Sequence, residues 1–281
     1  MSNIIVAIKN IIDNQNYILN NSTNSSNRVH SMGESLEAYI KDAFASSFNL
    51  SEAEADEKRS EVFSYLGNNT NPPDAIIKCG DAIEVKKNEY ATSELQLNSS
   101  FPKDKLYSSN PSITEAARTC ENWDIKDMLY CIGLVVNNNL KRLWMVYGDC
   151  FCANSNVYSS VKERIIEGIR NIEGLNFSTT QELGRINNVD PLSLTNLRIR
   201  GMWLLQNPNK IFENRVTYNL DAKFQMFVLM QTSKFNSFPN EDIETFQSLI
   251  NNELKVEDIR IKNPNNPAIL MDCKLITYTL Q

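Results

Sequence analysis

The chain has 281 residues, 42% of them hydrophobic and 22% charged, with a formal net charge of −6 and a pI near 5.1. That is enough apolar material for one sizeable core, and it excludes a disordered or collagen-like chain. No apolar stretch approaches the roughly 20 residues a membrane-crossing helix needs, so the expectation is a cytoplasmic protein with no membrane partner.

Ile4, Ile5, Ile8, Ile11 and Ile12 recur at helical spacing and predict a short amphipathic helix packed on the core. A polar run from Asn20 to Asn27 predicts a loop. After Gly33, the segment Ser35 to Phe44 places Leu36, Tyr39, Ile40 and Phe44 on one helix face, with Glu37 and Lys41 as an i,i+4 pair beside it. Ser51 followed by Glu52 and Glu54 opens another helix, with acids in its first turn. From Pro72 the period changes to two. Ala75-Ile76-Ile77, the turn Lys78-Cys79-Gly80-Asp81 and Ala82-Ile83-Glu84-Val85-Lys86 predict a β-hairpin, the Gly-Asp pair supplying the turn's positive φ. Thr114 to Glu121 reads as helix. Met128 to Val136 and Leu143 to Tyr147 read as strands about an Asn137-Asn138-Asn139 turn, and Val161 to Ile172 as an amphipathic helix. Further strands are predicted at Asn196 to Arg200, Arg215 to Tyr218, Phe224 to Met230 and Leu275 to Leu280. The sum is a mixed α/β or α+β domain with a central sheet and a C-terminal elaboration.

Counting removes several mechanisms. His30 is the single histidine, and its polar neighbourhood from Ser22 to Met32 reads as surface or loop. Two-His zinc sites, Cys2His2 fingers and His-rich nuclease sites are thereby excluded. The six cysteines match neither a disulfide framework nor a paired C-x-x-C metal site and read as reduced thiols. Neither common glycine-rich phosphate cradle occurs.

The predicted hairpin carries the chemistry. Asp74 is followed after nine residues by Glu84-Val85-Lys86. Residues i and i+2 of a strand share a face about 7 Å apart, so Glu84 and Lys86 point together while Ile83 and Val85 enter the core. Asp74 arrives across the hairpin if the register permits. Two carboxylates suit Mg²⁺, which takes one or two acids plus water and phosphate oxygens, so Asp74 and Glu84 are the candidate metal ligands. Lys86 can hold or deprotonate the attacking water and contact the scissile phosphate. The competing reading is a solvated surface Glu-x-Lys pair after ordinary Pro-Asp turn chemistry.

These residues resemble the PD-(D/E)xK nucleases, and more closely the NgoPII-like type II restriction endonucleases. The similar stretches are Phe63 to Asp74 running on through Gly80 to Lys87, Leu97 to Lys103, and Leu183-Gly184-Arg185 through Asp190-Pro191 to Trp203. The resemblance implies a restriction-endonuclease-like mixed central β-sheet flanked by helices, with residues 1–205 as the nuclease core and 206–281 as an elaboration of the same domain for dimerisation or DNA contacts. It also implies double-strand DNA cleavage at a short palindrome, for this group GGCC, by a Mg²⁺-dependent homodimer whose host carries a companion methyltransferase. Some superfamily members add an acid from the preceding helix. Glu37 is the match and Glu34 the weaker candidate, while Asp81 is a second possible ligand.

Acidity is the main objection to a DNA partner. Residues 34–62 hold eight acids and three bases, a balance of −5 that leaves the remainder near neutrality. A local basic cleft is therefore compatible with the total. Lys103 and Lys105, just after the hairpin, suit phosphate contacts. Arg185, Asn187, Arg198 and Arg200 are the candidates for base contacts, since Arg reads guanine N7 and O6. The alternatives are a structure-specific repair or recombination nuclease of the same fold and a non-catalytic DNA-binding module.

Overall fold

Asn3 opens the first helix of the computed structural model, its side chain accepting hydrogen bonds from the N–H groups of Ile5 (2.9 Å) and Val6 (3.2 Å). The structure describes residues 2–19, 28–67, 71–180 and 182–281, and for residues 28–33 the backbone alone. Helix α1 (Ile4–Asn14) buries Ile4, Ile5, Ala7, Ile8 and Ile11 and packs against α2 (Arg28–Ala45). Helix α2 starts ahead of Gly33 and carries Leu36, Tyr39, Ile40 and Phe44 into the core. His30 therefore belongs to a helix rather than a loop; its side chain and the loop expected at 20–27 lie outside the described residues. Helix α3 (Glu52–Val62) begins at Ser51 as predicted, where the Glu54 carboxylate accepts from the Ser51 N–H (2.9 Å) and hydroxyl (2.6 Å).

Strands β1 (Phe63–Leu66), β2 (Ala75–Ile77) and β3 (Ala82–Asn88) run antiparallel in sequence order. The connection out of β3 contains β4 (Leu95–Gln96), β5 (Lys105–Tyr107) and α4 (Glu115–Thr119), a helix capped by Thr114 and shorter than predicted. It returns as β6 (Ile125–Val136), parallel to β3, which turns at Asn137 and Asn138 (φ 49° and 63°) into β7 (Asn139–Tyr147). Next come α5 (Ser155–Arg170), which starts ahead of the predicted Val161, and a separate sheet of β8 (Asn176–Ser178), β9 (Gly184–Asn187) and β10 (Leu197–Ile199). Strand β11 (Leu204–Leu205) pairs with β4, and α6 (Pro208–Ile211) leads toward β12 (Phe224–Gln231), parallel to β7. After α7 (Thr232–Phe235) and α8 (Asn240–Ser248), β13 (Leu254–Asn263) and β14 (Asn266–Leu280) form a long hairpin. The main sheet runs β1-β2-β3-β6-β7-β12-β14-β13, with β5 paired to the start of β6. It is the mixed central sheet flanked by helices that was expected.

The central strands are covered on both faces, which is why they read as near-continuous apolar runs. Trp144, Tyr130, Tyr147, Phe224 and Phe227 are fully buried there, and a side chain such as Phe227 contributes about 1.5–3 kcal/mol by leaving water. Gly133 lets α2 sit down on the sheet, since a Cβ there would lie 2.7 Å from Leu36 Cδ2 and 2.9 Å from Leu140 Cδ1. The strand predicted at Arg215 to Tyr218 does not form. Side chains anchor that segment instead of a ladder: the Tyr218 hydroxyl donates to the Asn209 carbonyl (2.8 Å), and the Arg142 guanidinium lies 4.1 Å from the Tyr218 ring centre. No helix among the described residues is long and apolar enough to cross a membrane.

Candidate active site

The β2–β3 register settles where Asp74 goes. Its N–H donates to the Ile83 carbonyl (2.9 Å), extending the ladder one step past β2, and its Oδ2 accepts from the Val85 N–H at 2.6 Å. Two residues along β3, the Lys86 ammonium donates to Glu84 Oε1 at 2.5 Å and to the Val85 carbonyl at 3.2 Å. Asp74, Glu84 and Lys86 therefore meet on one hairpin. The pleat is less exposed than expected, for Glu84 is buried along with Ile83 and Val85. Burial, and then the Glu84 charge, push the Asp74 carboxyl up to about 8. Burial pulls the Lys86 ammonium down, yet Glu84 and Asp74 outweigh it and leave its pKa above the ordinary lysine value.

Glu84 Oε2 is buried with no hydrogen-bond partner. A carboxylate oxygen left that way is costly unless a cation or water completes it. With Asp74 beside it, the donor set fits a hard divalent cation that brings its own water. Among the described residues no three His, Cys, Asp or Glu side chains gather into a fuller cage. Glu37 lies within electrostatic range of Asp74 and Lys86 but pairs with Lys41 at 3.5 Å. It is a neighbour of the carboxylate pair rather than a third member of it.

Lys103 is the residue whose place the sequence least foretold. Expected as a loop lysine reaching for phosphate, it is buried, with its Nζ on Ser100 Oγ and 3.3 Å from the Phe101 carbonyl, and its N–H donating to the Tyr130 hydroxyl at 2.8 Å. Glu84, Lys103, Ser100, Tyr130 and Pro72 share a cavity of about 10 Å³, room for about one water. Burial pulls the Lys103 ammonium down to about 8, against the pull of Glu84. A second lysine thus faces the hairpin.

Lys105 and Asp81 go elsewhere. Asp81 accepts from the Tyr147 hydroxyl (2.6 Å) and Lys234 Nζ (2.7 Å), so it holds the far side of the hairpin turn and is not a ligand beside Asp74. The left-handed residue of that turn is Cys79 (φ 53°) rather than Gly80 or Asp81, and its N–H is fixed by Glu121 at 3.0 Å. Lys105 pairs with Asp127 and, at 3.4 Å, with Asp149, along a polar cleft of about 440 Å³. That cleft is larger than the cavity at Glu84; Lys105 and Lys234 pair there with Asp127, and Lys105 also with Asp149, while Asp104 Oδ1 and Asp149 Oδ1 are buried without a hydrogen-bond partner among the described residues. Burial would raise the Asp127 carboxyl, yet hydrogen bonds from Lys105 and Lys234 outweigh it and hold it below the usual range. The stability Asp127 contributes is therefore fully present above about pH 4 and lost as the pH falls through the lowered native value. Asp127→Asn should cost about 2 kcal/mol at neutral pH, below the figure for fully buried pairs, and much less at pH 3. Urea unfolding at both pH values checks this.

The base-contact candidates sit on the small sheet. Arg198 and Arg200 are 61% and 62% exposed, and both reach Glu182: Arg198 through Nε (2.9 Å) and Nη2 (2.7 Å), Arg200 through Nε (2.8 Å). The Arg198 hydrogen bond holds the Glu182 carboxyl below its ordinary pKa. Arg185 pairs across to Arg198 in the ladder and donates to Asn187 Oδ1 at 3.2 Å. Glu182 was not foreseen, and no local spacing marks it. Lys87 pairs with Glu89 (2.9 Å), and Arg118 donates to the carbonyls of Ser108 (2.7 Å) and Asn110 (3.1 Å). All six cysteines are free thiols, as expected.

Comparison with known proteins bears on the whole of this arrangement. A sequence profile of the NgoPII restriction endonuclease family matches residues 2–262. The type II restriction enzyme NgoPII of Neisseria gonorrhoeae is 46% identical over 279 residues, covering 99% of this chain and 100% of that protein. No solved structure matches the chain. The match takes in the hairpin, the arginine-bearing sheet and the C-terminal strands β12 and β13, beyond the reach of the motifs read from the sequence. On that extent of agreement, the chain belongs to the NgoPII restriction endonuclease family.

Proposed function

We propose that this type II site-specific deoxyribonuclease uses the β2–β3 hairpin to hydrolyse one phosphodiester bond in each strand of double-stranded DNA, with Mg²⁺ as cofactor. The observation that carries the reading is the convergence of Asp74, Glu84 and Lys86, with Asp74 locked to the Val85 N–H at 2.6 Å and one Glu84 oxygen left unpartnered. Restriction enzymes of this type work with a divalent metal. Held by Asp74 and Glu84, Mg²⁺ would supply charge neutralisation at the phosphate oxygens and a water of lowered pKa.

The chain's own groups do the rest. Lys86, kept charged by two carboxylates, donates to the attacking water and a phosphate oxygen. Lys103 offers a second ammonium beside Glu84, where it stabilises charge on the phosphate as the water oxygen bonds to phosphorus and the bond to the leaving sugar oxygen breaks. Glu37 tunes the field at Asp74 and Lys86 from α2. Arg185, Asn187, Arg198 and Arg200 read bases of a short palindrome, GGCC in this reading, while Lys105, engaged by Asp127 and Asp149, supports the protein beneath the DNA. Each chain presents one such hairpin, so cutting both strands calls for a homodimer on the two-fold axis of the site. A companion methyltransferase protects the host at the same sequence.

Incubating purified protein with unmethylated phage DNA, with and without Mg²⁺, and mapping the fragment ends tests this directly. Discrete, metal-dependent fragments ending in one palindrome are the expected result. A smear, branch-dependent cutting, or cutting at full rate in chelator would overturn it.

A further inference from the structure

Helix α5 is apolar on two adjoining faces, and only one of them has a partner among the described residues. Ile169 packs toward the small sheet, its Cγ2 lying 3.3 Å from where a Cβ would stand on Gly184. On the neighbouring face Val157, Val161 and Ile165 recur every four residues and are 48%, 45% and 42% exposed, and Ile172 continues the line past the helix end at 50%. Gly168 falls on the same line, and a Cβ built on it would meet nothing within 4 Å. Glycine is disfavoured inside a helix, and nothing packed against it among the described residues accounts for it. Close approach of another backbone would.

On one rim of this stripe stand Arg164 and Glu167, neither of which enters an ion pair with a described residue. When two copies of a helix pack antiparallel about a dyad, the same rim of each faces the other. A dyad between positions 164 and 167 then sets Arg164 against Glu167 of the second copy twice over, while Val161, Ile165 and Gly168 fill the seam. Parallel packing about a dyad would instead put this rim of the two copies on opposite sides of the seam, where Arg164 and Glu167 could not meet. The occupant follows from the reaction, since one catalytic hairpin per chain has to serve two strands. We propose that α5 packs antiparallel on α5 of a second copy of this chain, with the two-fold axis passing beside Ile165 and Gly168. This rests on the homodimer reading above and assigns its surface.

Sedimentation of the full chain tests the assignment. The wild type is expected to be a dimer. Ile165→Glu, Arg164→Glu and Glu167→Arg should each raise the dimer dissociation constant at least tenfold with unchanged circular dichroism, and should convert double-strand cleavage to nicking at low protein concentration. The double variant Arg164→Glu with Glu167→Arg should return to within about threefold of wild type, and Ile269→Glu, on exposed β14, should stay dimeric. A dimer that survives Ile165→Glu and both charge reversals overturns the α5 surface and leaves the homodimer reading intact. Dissociation by both reversals with no recovery in the double variant overturns the antiparallel register. A wild type that stays monomeric on DNA while cutting both strands overturns the homodimer reading itself.

Discussion

Glu84→Gln should leave a folded protein that binds DNA and cuts it at least about a thousandfold more slowly, the loss expected when a group acts mainly on the transition state. The substitution keeps the shape and the hydrogen bond from Lys86 but removes the charge. The other Glu84 oxygen has no partner, so exchanging it for an amide gives up little native bonding. Lys86 keeps the Val85 carbonyl, and loss of the Glu84 charge removes one of the causes that raise the Asp74 pKa, which favours the Asp74 carboxylate beside the ammonium. Stability should therefore change far less than activity, which separates this result from general unfolding. Plasmid cleavage at saturating metal, set beside filter binding and a thermal melt, reads all three. Wild-type cleavage by Glu84→Gln would remove the hairpin from the mechanism.

Gly67→Ala should do comparable harm without touching a charged group. Gly67 follows β1, donates its N–H to the Asp74 carbonyl at 2.8 Å, and lies so close that a Cβ would stand 2.9 Å from that oxygen, 3.0 Å from Asp74 Cα and nearer still to the Pro73 carbonyl oxygen. All three neighbours are backbone and have no rotamer to change. The strain falls on the segment carrying the Asp74 carboxylate, whose partner across the hairpin is the Val85 N–H. Displacement by a fraction of an ångström is enough to lower cleavage by about a hundredfold, with a stability loss of about 1–3 kcal/mol. The expected signature is a weakened apparent affinity for the activating metal in a protein that still melts cooperatively. Unchanged metal dependence would show that Asp74 can move without consequence.

The hairpin and its neighbours were legible because local rules and tertiary structure agree there. Pro-Asp ahead of an apolar triplet, a short turn, and Glu-x-Lys on the return strand are readable one residue at a time, and so are the isoleucine face of α1 and the Ser51 cap. Legibility failed where distant parts of the chain decide. Lys103 and Lys105 look alike in sequence, yet one turns into the hairpin beside Tyr130 and the other toward Asp127, because Lys103 lies in the loop ahead of β5 while Lys105 opens that strand and stands opposite Asp127 of β6. Tyr218 sits in a stretch with strand-like composition, but Arg142, far away in sequence, and Asn209, on α6, hold it out of a ladder. Strand β14 was read only from Leu275 because its first half is exposed and gains its regularity from β13.

Glu182 ties Arg198 and Arg200 to a single carboxylate, so the two guanidiniums share one anchor and their positions are correlated. If they address neighbouring bases, a mismatch that pushes one aside also disturbs the other. Errors would then compound rather than add, and fidelity would fall off more steeply with the number of wrong bases than two independent contacts allow. Loosening that anchor would be the economical route to a relaxed enzyme.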